Sequence, residues 1–170
     1  MPHILKSLAL VAILGLAACS NADRFGDAGA GGNTPLGPGA GLGGAGDPAS
    51  PAYFSQTVGD RVLFLVDQST LTNEAQSILT QQAAWLNNNP AYTIAIEGHA
   101  DERGTREYNV ALSEQRANAV STYLVSQGLL PSRITRVVGF GKERPLEICS
   151  EEACYAQNRR SVTVLNAGGV

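Results

Sequence analysis

The sequence predicts an α/β (α+β) sandwich, with helices packed on one mixed sheet and the element order β-α-β-α-β-α-β. Three observations carry that expectation. Short apolar runs rich in β-branched residues alternate with longer stretches of helical spacing. Capping and stop residues punctuate those stretches. The composition also changes sharply near Pro51, from Gly, Ala and Pro to a pattern able to bury a core.

Taken in order, Arg61 to Val66 is a short apolar run that predicts a buried strand. Thr72-Asn73-Glu74 offers N-cap chemistry for a helix to about Asn88, with Ile78, Leu79, Ala83 and Leu86 near helical spacing, and Asn89-Pro90 ends it. Tyr92 to Ile96 predicts a second strand running into Glu97-Gly98-His99-Ala100-Asp101. A long helix is expected from about Thr105 to Gln127, stopped by Gly128. Ile134 to Phe140 follows as a strand, Glu151 to Asn158 as a short helix and Ser161 to Leu165 as the last strand.

Ahead of this domain the chain reads as an address and a tether. A cationic start to Lys6, an apolar run from Ser7 to Ala17 and small residues after it give the layout of a secretory signal peptide over residues 1–18. The apolar run is too short to span a bilayer, which takes about 20 residues. Leu16-Ala17-Ala18-Cys19 resembles the lipobox of bacterial lipoproteins, which implies acyl chains, palmitate among them, on Cys19. Ser20 after the cysteine resembles lipoproteins sent to the outer membrane. From Gly26 to Gly46 the chain is mostly Gly, Ala and Pro, so residues 19–52 are expected to be a lipidated N-terminus and flexible linker, with the domain over 53–170. A coil of that length has a root-mean-square reach of roughly 30–35 Å. The glycines lack the strand, Gly-Lys-Ser/Thr ending and helix of a phosphate cradle.

A formal net charge of -3 excludes nucleic acid as the main partner, because phosphate binding needs a clustered excess of Lys and Arg. One cation stands out. Leu112, Ala119, Val120 and Tyr123 predict an apolar stripe on the long helix, and Arg116 lies within it. A guanidinium facing a core must be matched by acceptors, since an unpaired buried charge is costly. Asn109 lies on nearly the same face. Asp67 and Asp101, each just after a strand, are the nearby anions if those strands are neighbours. An acidic-plus-Arg pocket suits a zwitterionic ligand, with carboxylates taking its ammonium and Arg its carboxylate. A plain internal Asp-Arg bridge is the alternative, and spacing alone leaves both open.

Gly98-His99-Ala100-Asp101-Glu102-Arg103-Gly104-Thr105, then Tyr108 to Ala117, then Asn158-Arg159-Arg160 closely resemble the OmpA-like peptidoglycan-binding domain family, over roughly Asp60 to Leu165. The resemblance implies a pocket for meso-diaminopimelate in the peptide stem of peptidoglycan. Its paired acidic and basic ligand residues map onto Asp101 and Arg116, its early Phe-x-x-Asp onto Phe64 and Asp67, and its helix positions onto Asn109 and Leu112. Asn158 and Arg160 fall in the final motif and are expected to line or brace the site. Leu65, Val66 and Ser69-Thr70 depart from many relatives around Asp67. The resemblance further implies an outer-membrane anchor facing the periplasm, TolB as a protein partner with TolA as a second, and a part in envelope integrity and cell division. It calls for no cofactor or metal and no catalysis.

Cys149 and Cys154 enclose four residues, and in an exported protein a local disulfide is expected. A zinc site with His99 lacks an evident fourth ligand. A reading of a different class, a wall-associated hydrolase, would draw on Glu97, His99 and Asp101, with Glu97 and Asp101 on one side of the strand end and His99 on the other. No nucleophile motif accompanies them.

Overall fold

The computed structural model describes residues 44–167. The signal peptide, Cys19 and most of the Gly/Ala/Pro stretch lie outside the described residues. A short helix α1 (Pro51–Tyr53) continues into a π-helical turn over Phe54–Gly59. Then follow β1 (Arg61–Leu63), α2 (Asn73–Asn88), β2 (Tyr92–Gly98), α3 (Arg106–Ser126), a 3-10 turn (Pro131–Arg133), β3 (Ile134–Gly139), α4 (Glu152–Asn158) and β4 (Arg160–Ala167). Among the described residues no helix is long and apolar enough to cross a membrane.

The sheet runs β1-β4-β2-β3: β4 is antiparallel to both neighbours, and β2 and β3 are parallel. A parallel pair needs a crossover, which α3 supplies. The strands β1 and β2, whose adjacency the sequence left open, are not neighbours, because β4 is inserted between them. Both are antiparallel to β4, so they still run the same way and their C-terminal ends still emerge at one end of the sheet.

The core fills the space between the sheet and the helices α2 and α3. Val62, Ile94 and Ile96 point inward from the strands against Leu79, Ala83 and Leu86 of α2 and Ala117, Val120 and Leu124 of α3. The Gln82 side chain is carried into this core with both ends satisfied: Nε2 donates to the Gly59 carbonyl at 2.6 Å and Oε1 accepts from the Thr163 hydroxyl at 2.7 Å.

Three details differ from the sequence reading. The first strand is not a six-residue buried run. Only Arg61–Leu63 pair, and Leu65 and Val66 are 54% and 44% exposed because the chain leaves the sheet after Phe64 and turns at Asp67, a non-glycine residue at φ 55. Asp tolerates that left-handed conformation better than most residues. On α3 the buried face is Asn109, Leu112, Ser113, Arg116, Ala117, Val120 and Leu124, with Ala119 and Tyr123 at its margins. Finally, contacts with the domain begin at Pro48, within the stretch whose composition suggested linker. The Pro48 carbonyl accepts from Trp85 Nε1 at 2.7 Å, Ser50 caps α1 by accepting from the Tyr53 N–H, and Phe54 packs on Trp85 with ring centroids 4.8 Å apart.

Two glycines decide how closely α3 lies on the sheet. A Cβ at Gly98 would stand 1.8 Å from the Ser113 carbonyl oxygen, and one at Gly139 would stand 2.5 Å from Ser113 Oγ. Their missing side chains let the middle of α3 rest on the ends of β2 and β3. The same hydroxyl accepts from the Gly141 N–H at 2.8 Å. This contact places Asn109, Leu112 and Arg116 over the loops leaving β1 and β2.

Candidate ligand-binding site

The start of α3 is fixed by its cap. The Thr105 hydroxyl accepts from the Tyr108 N–H, and Gly104 takes the left-handed turn before it. The buried Asn109 amide donates to the carbonyls of Arg103 at 2.7 Å and Asp101 at 3.3 Å, tying the loop after β2 to the helix. Two turns on, Arg116 is completely buried. Its matching acceptors are not carboxylates: Nε donates to the Gln68 carbonyl at 2.8 Å, Nη1 to His99 at 2.9 Å and Nη2 to Leu65 at 3.1 Å. The plain Asp-Arg bridge is therefore not formed. A guanidinium has five N–H groups, so one on each terminal nitrogen remains uncommitted. Burial lowers the Arg116 pKa to about 10, against the opposing pull of Asp101, so the group stays cationic at neutral pH.

Asp67, Ala100, Asp101, Asn109, Leu112, Arg116 and Arg159 surround one cleft, closed here so tightly that it holds no space for a water molecule. Five of the sequence-predicted residues thus converge: Asp67, Asp101, Asn109, Leu112 and Arg116. Phe64 stands behind them, its ring 5.2 Å from the Arg116 guanidinium carbon, in the wall of a larger cavity of about 370 Å³. That cavity is mostly apolar, with Leu63, Leu65 and Ile78 in its lining, and it shares only Arg159 with the cleft. Asp67, Asp101 and Arg116 meet in the smaller cleft.

Arg160 is not brought to the cleft. Its Nη2 donates to the Arg144 carbonyl, and its Nη1 is buried without a partner. The residue that sequence reasoning missed is Arg159. Its Nη1 donates to Asp101 Oδ2 at 3.1 Å, its Nη2 to Glu152 at 2.6 Å and its Nε to the Phe64 carbonyl at 3.2 Å. On β4 Ser161 and Thr163 point inward and hydrogen-bond to the Glu97 carbonyl and to Gln82. Asn158 braces the preceding loop, its amide accepting from Leu146 and Glu147 N–H and donating to the Glu147 carbonyl.

Asp101 is 7% exposed and accepts from Arg103 Nη2 at 2.6 Å, from Arg159 and from the Arg103 N–H. Burial alone would raise its pKa, but the hydrogen bonds from Arg103 and Arg159 outweigh it and hold the carboxyl below its usual range. Arg103 also reaches Glu152 at 3.4 Å and lies over the Tyr155 ring at 4.6 Å. Glu152 begins α4, and Cys149 and Cys154 are joined by a disulfide across that start, as expected. Their sulfurs are thereby unavailable as metal ligands. Among the described residues no group of His, Cys, Asp and Glu is arranged to hold a metal ion.

The Glu97, His99 and Asp101 side chains do not converge, and their sides are not those expected. His99 Nε2 lies 3.8 Å from Glu97, whereas Asp101 is taken by the arginines. His99 is 2% exposed, stacks on Phe140 and has an unpartnered Nδ1. Burial, with help from Arg160 and Arg144, lowers its pKa to about 4, so it is neutral at physiological pH.

With its sheet order and this cleft the chain has the anatomy of a known class: the OmpA family profile matches residues 63–159, and the chain belongs to the OmpA family. Within it, the chain is similar to proteins named peptidoglycan-associated lipoprotein. That of Brucella melitensis is 50% identical over 130 residues, covering 76% of this chain and 77% of the relative. That of Rhizobium meliloti is 46% identical over 162 residues, covering 95% and 88%. The crystal structure of the peptidoglycan-associated lipoprotein from Burkholderia pseudomallei is 37% identical and superposes with a TM-score of 0.63 over 72% of this chain and 98% of that one.

Proposed function

We propose that this domain binds the meso-diaminopimelate residue of peptidoglycan stem peptides without covalent chemistry, and that acylated Cys19 holds its other end in the outer membrane so that the domain faces the periplasm. The observation that carries the reading is the meeting of Asp101, Asp67 and Arg116 at one cleft. A diaminopimelate side chain ends in an ammonium and a carboxylate. Asp101 and Asp67 are the acceptors for the first, and the uncommitted N–H groups of Arg116 are the donors for the second. Leu112 and the Phe64 ring supply apolar contact around Arg116. The Gly/Ala/Pro stretch gives the reach between membrane and wall, and many weak contacts along the wall add up through multivalency. The names of the relatives support wall association, and likeness to them is the reason to assign a place in the Tol-Pal system of envelope integrity and division, with TolB as a partner and TolA as a second.

The hydrolase reading is disfavoured by one observation. His99, its base, is buried and holds its pKa near 4, with no nucleophile in hydrogen-bond reach. The test of the proposal is co-sedimentation of the protein with purified peptidoglycan of two kinds, one carrying meso-diaminopimelate and one carrying lysine at the same stem position. Binding to the first, much weaker binding to the second and no soluble fragments released support it. Equal binding to both removes the carboxylate half of the pocket.

A further inference from the structure

The acidic pole of the cleft is already occupied from within the protein at Asp101, so an arriving ammonium meets a paired carboxylate. Two cations hold Asp101 Oδ2, and they are not equivalent. Arg159 is 5% exposed, and its other N–H groups serve the Phe64 carbonyl and Glu152. If it left, the buried Phe64 carbonyl would be stranded, at a cost of about 1–3 kcal/mol. The Arg103 side chain is 45% exposed, and a second set of partners is within reach: Glu152 Oε2 at 3.4 Å from its Nη1 and the Tyr155 ring beneath it. The Tyr155 hydroxyl is itself fixed by donating to Glu102 at 2.9 Å. Arg103 can therefore give up its 2.6 Å bond to Asp101 and remain held by a carboxylate and an aromatic face. A third cation brought to Asp101 beside Arg103 and Arg159 would be repelled by both, so one must move, and the geometry selects the exposed one.

We propose that Arg103 is an internal stand-in for the ligand's ammonium. It neutralises Asp101 while the cleft is empty, and it moves onto Glu152 and Tyr155 when an external ammonium arrives. This rests on the reading of the cleft as a diaminopimelate site and deepens it. Being tethered, Arg103 competes at a high effective concentration, so each stem is held more weakly than the pocket's own contacts would allow. Its charge is thus tuned for release, in contrast to the holding role of Asp101 and Arg116.

The test is calorimetric titration of the detergent-solubilised full chain with a soluble stem tetrapeptide containing meso-diaminopimelate. Wild type is compared with Arg103→Ala, Arg103→Gln and the double variant Arg103→Ala/Asp101→Ala, each with its melting curve. Both single variants are expected to bind about fivefold tighter than wild type, the effect of removing a half-exposed ion pair that competes with the ligand. The double variant is expected to lose that gain. Equal or weaker binding by folded single variants, or a gain that survives in the double variant, overturns the stand-in role and leaves the assignment of the pocket intact. No binding by wild type or by either single variant removes the pocket assignment, and the stand-in role falls with it.

Discussion

The two walls of the cleft are built on different physics. On the α3 wall Arg116 is clamped by three main-chain carbonyls, of Leu65, Gln68 and His99, and meets Asp67 and Asp101 only through space. On the α4 wall Arg159 and Arg103 share the carboxylates of Asp101 and Glu152. Carbonyl dipoles neither titrate nor rearrange cheaply, so the first wall is a fixed frame. The second is a balance of full charges, which changes with protonation and with any ion that enters. The site therefore combines a rigid donor with an adjustable acceptor.

Breaking the fixed wall has the largest expected effect. Arg116→Ala strands three carbonyls and opens a cavity, and it is expected to cost about 4 kcal/mol, lowering the thermal midpoint by on the order of 15 °C. A loss under about 1 kcal/mol would show that the clamp contributes little. Acidification comes next. His99 is neutral in the fold, with its pKa lowered to about 4, against 6.5 in the unfolded chain. Between those values the unfolded state binds more protons, so stability falls as pH drops through the window, by about 3 kcal/mol in total. His99→Gln is expected to flatten that part of the profile in urea melts taken from pH 7 to 4. Gly98→Ala drives a methyl into the Ser113 carbonyl and lifts α3 from the strand ends, for about 2 kcal/mol in chemical denaturation.

The α4 wall is expected to respond more gently. Asp101→Asn is expected to cost about 1 kcal/mol at pH 7. The folded Asp101 pKa is depressed, so its contribution is present above the ordinary carboxyl value of 3.8 and fades as pH falls through the lower folded value. The gap between wild type and variant should close only below pH 3.8, a window separate from that of His99. A constant gap would mean that Asp101 acts through packing alone.

The same division marks what was legible in the sequence. The α3 wall is local: Asn109, Leu112 and Arg116 repeat at helical spacing, and the loop bearing Asp101 precedes the helix directly, so one stretch of chain reveals them together. The element order was legible for the same reason, since caps and periodicity are properties of neighbouring residues. The α4 wall was not, because Asp101 and Arg159 are 58 residues apart and meet only once β4 is inserted between β1 and β2. Which face of β4 is buried was not legible either, as the core there accepts Ser161 and Thr163 through hydrogen bonds that no hydropathy pattern encodes. Likewise, Pro48 and Ser50 read as linker by composition, yet their polar atoms are used by Trp85 and by the start of α1.

The most direct test of the central claim is co-sedimentation of wild type and Asp101→Ala with diaminopimelate-type peptidoglycan, after circular dichroism and melting curves show the variant folded. Loss of most binding by a folded variant is the predicted result, because the ammonium then keeps only Asp67 of its two acceptors in the cleft. Undiminished binding would contradict the account and move the wall-binding surface away from Asp101 and Arg116.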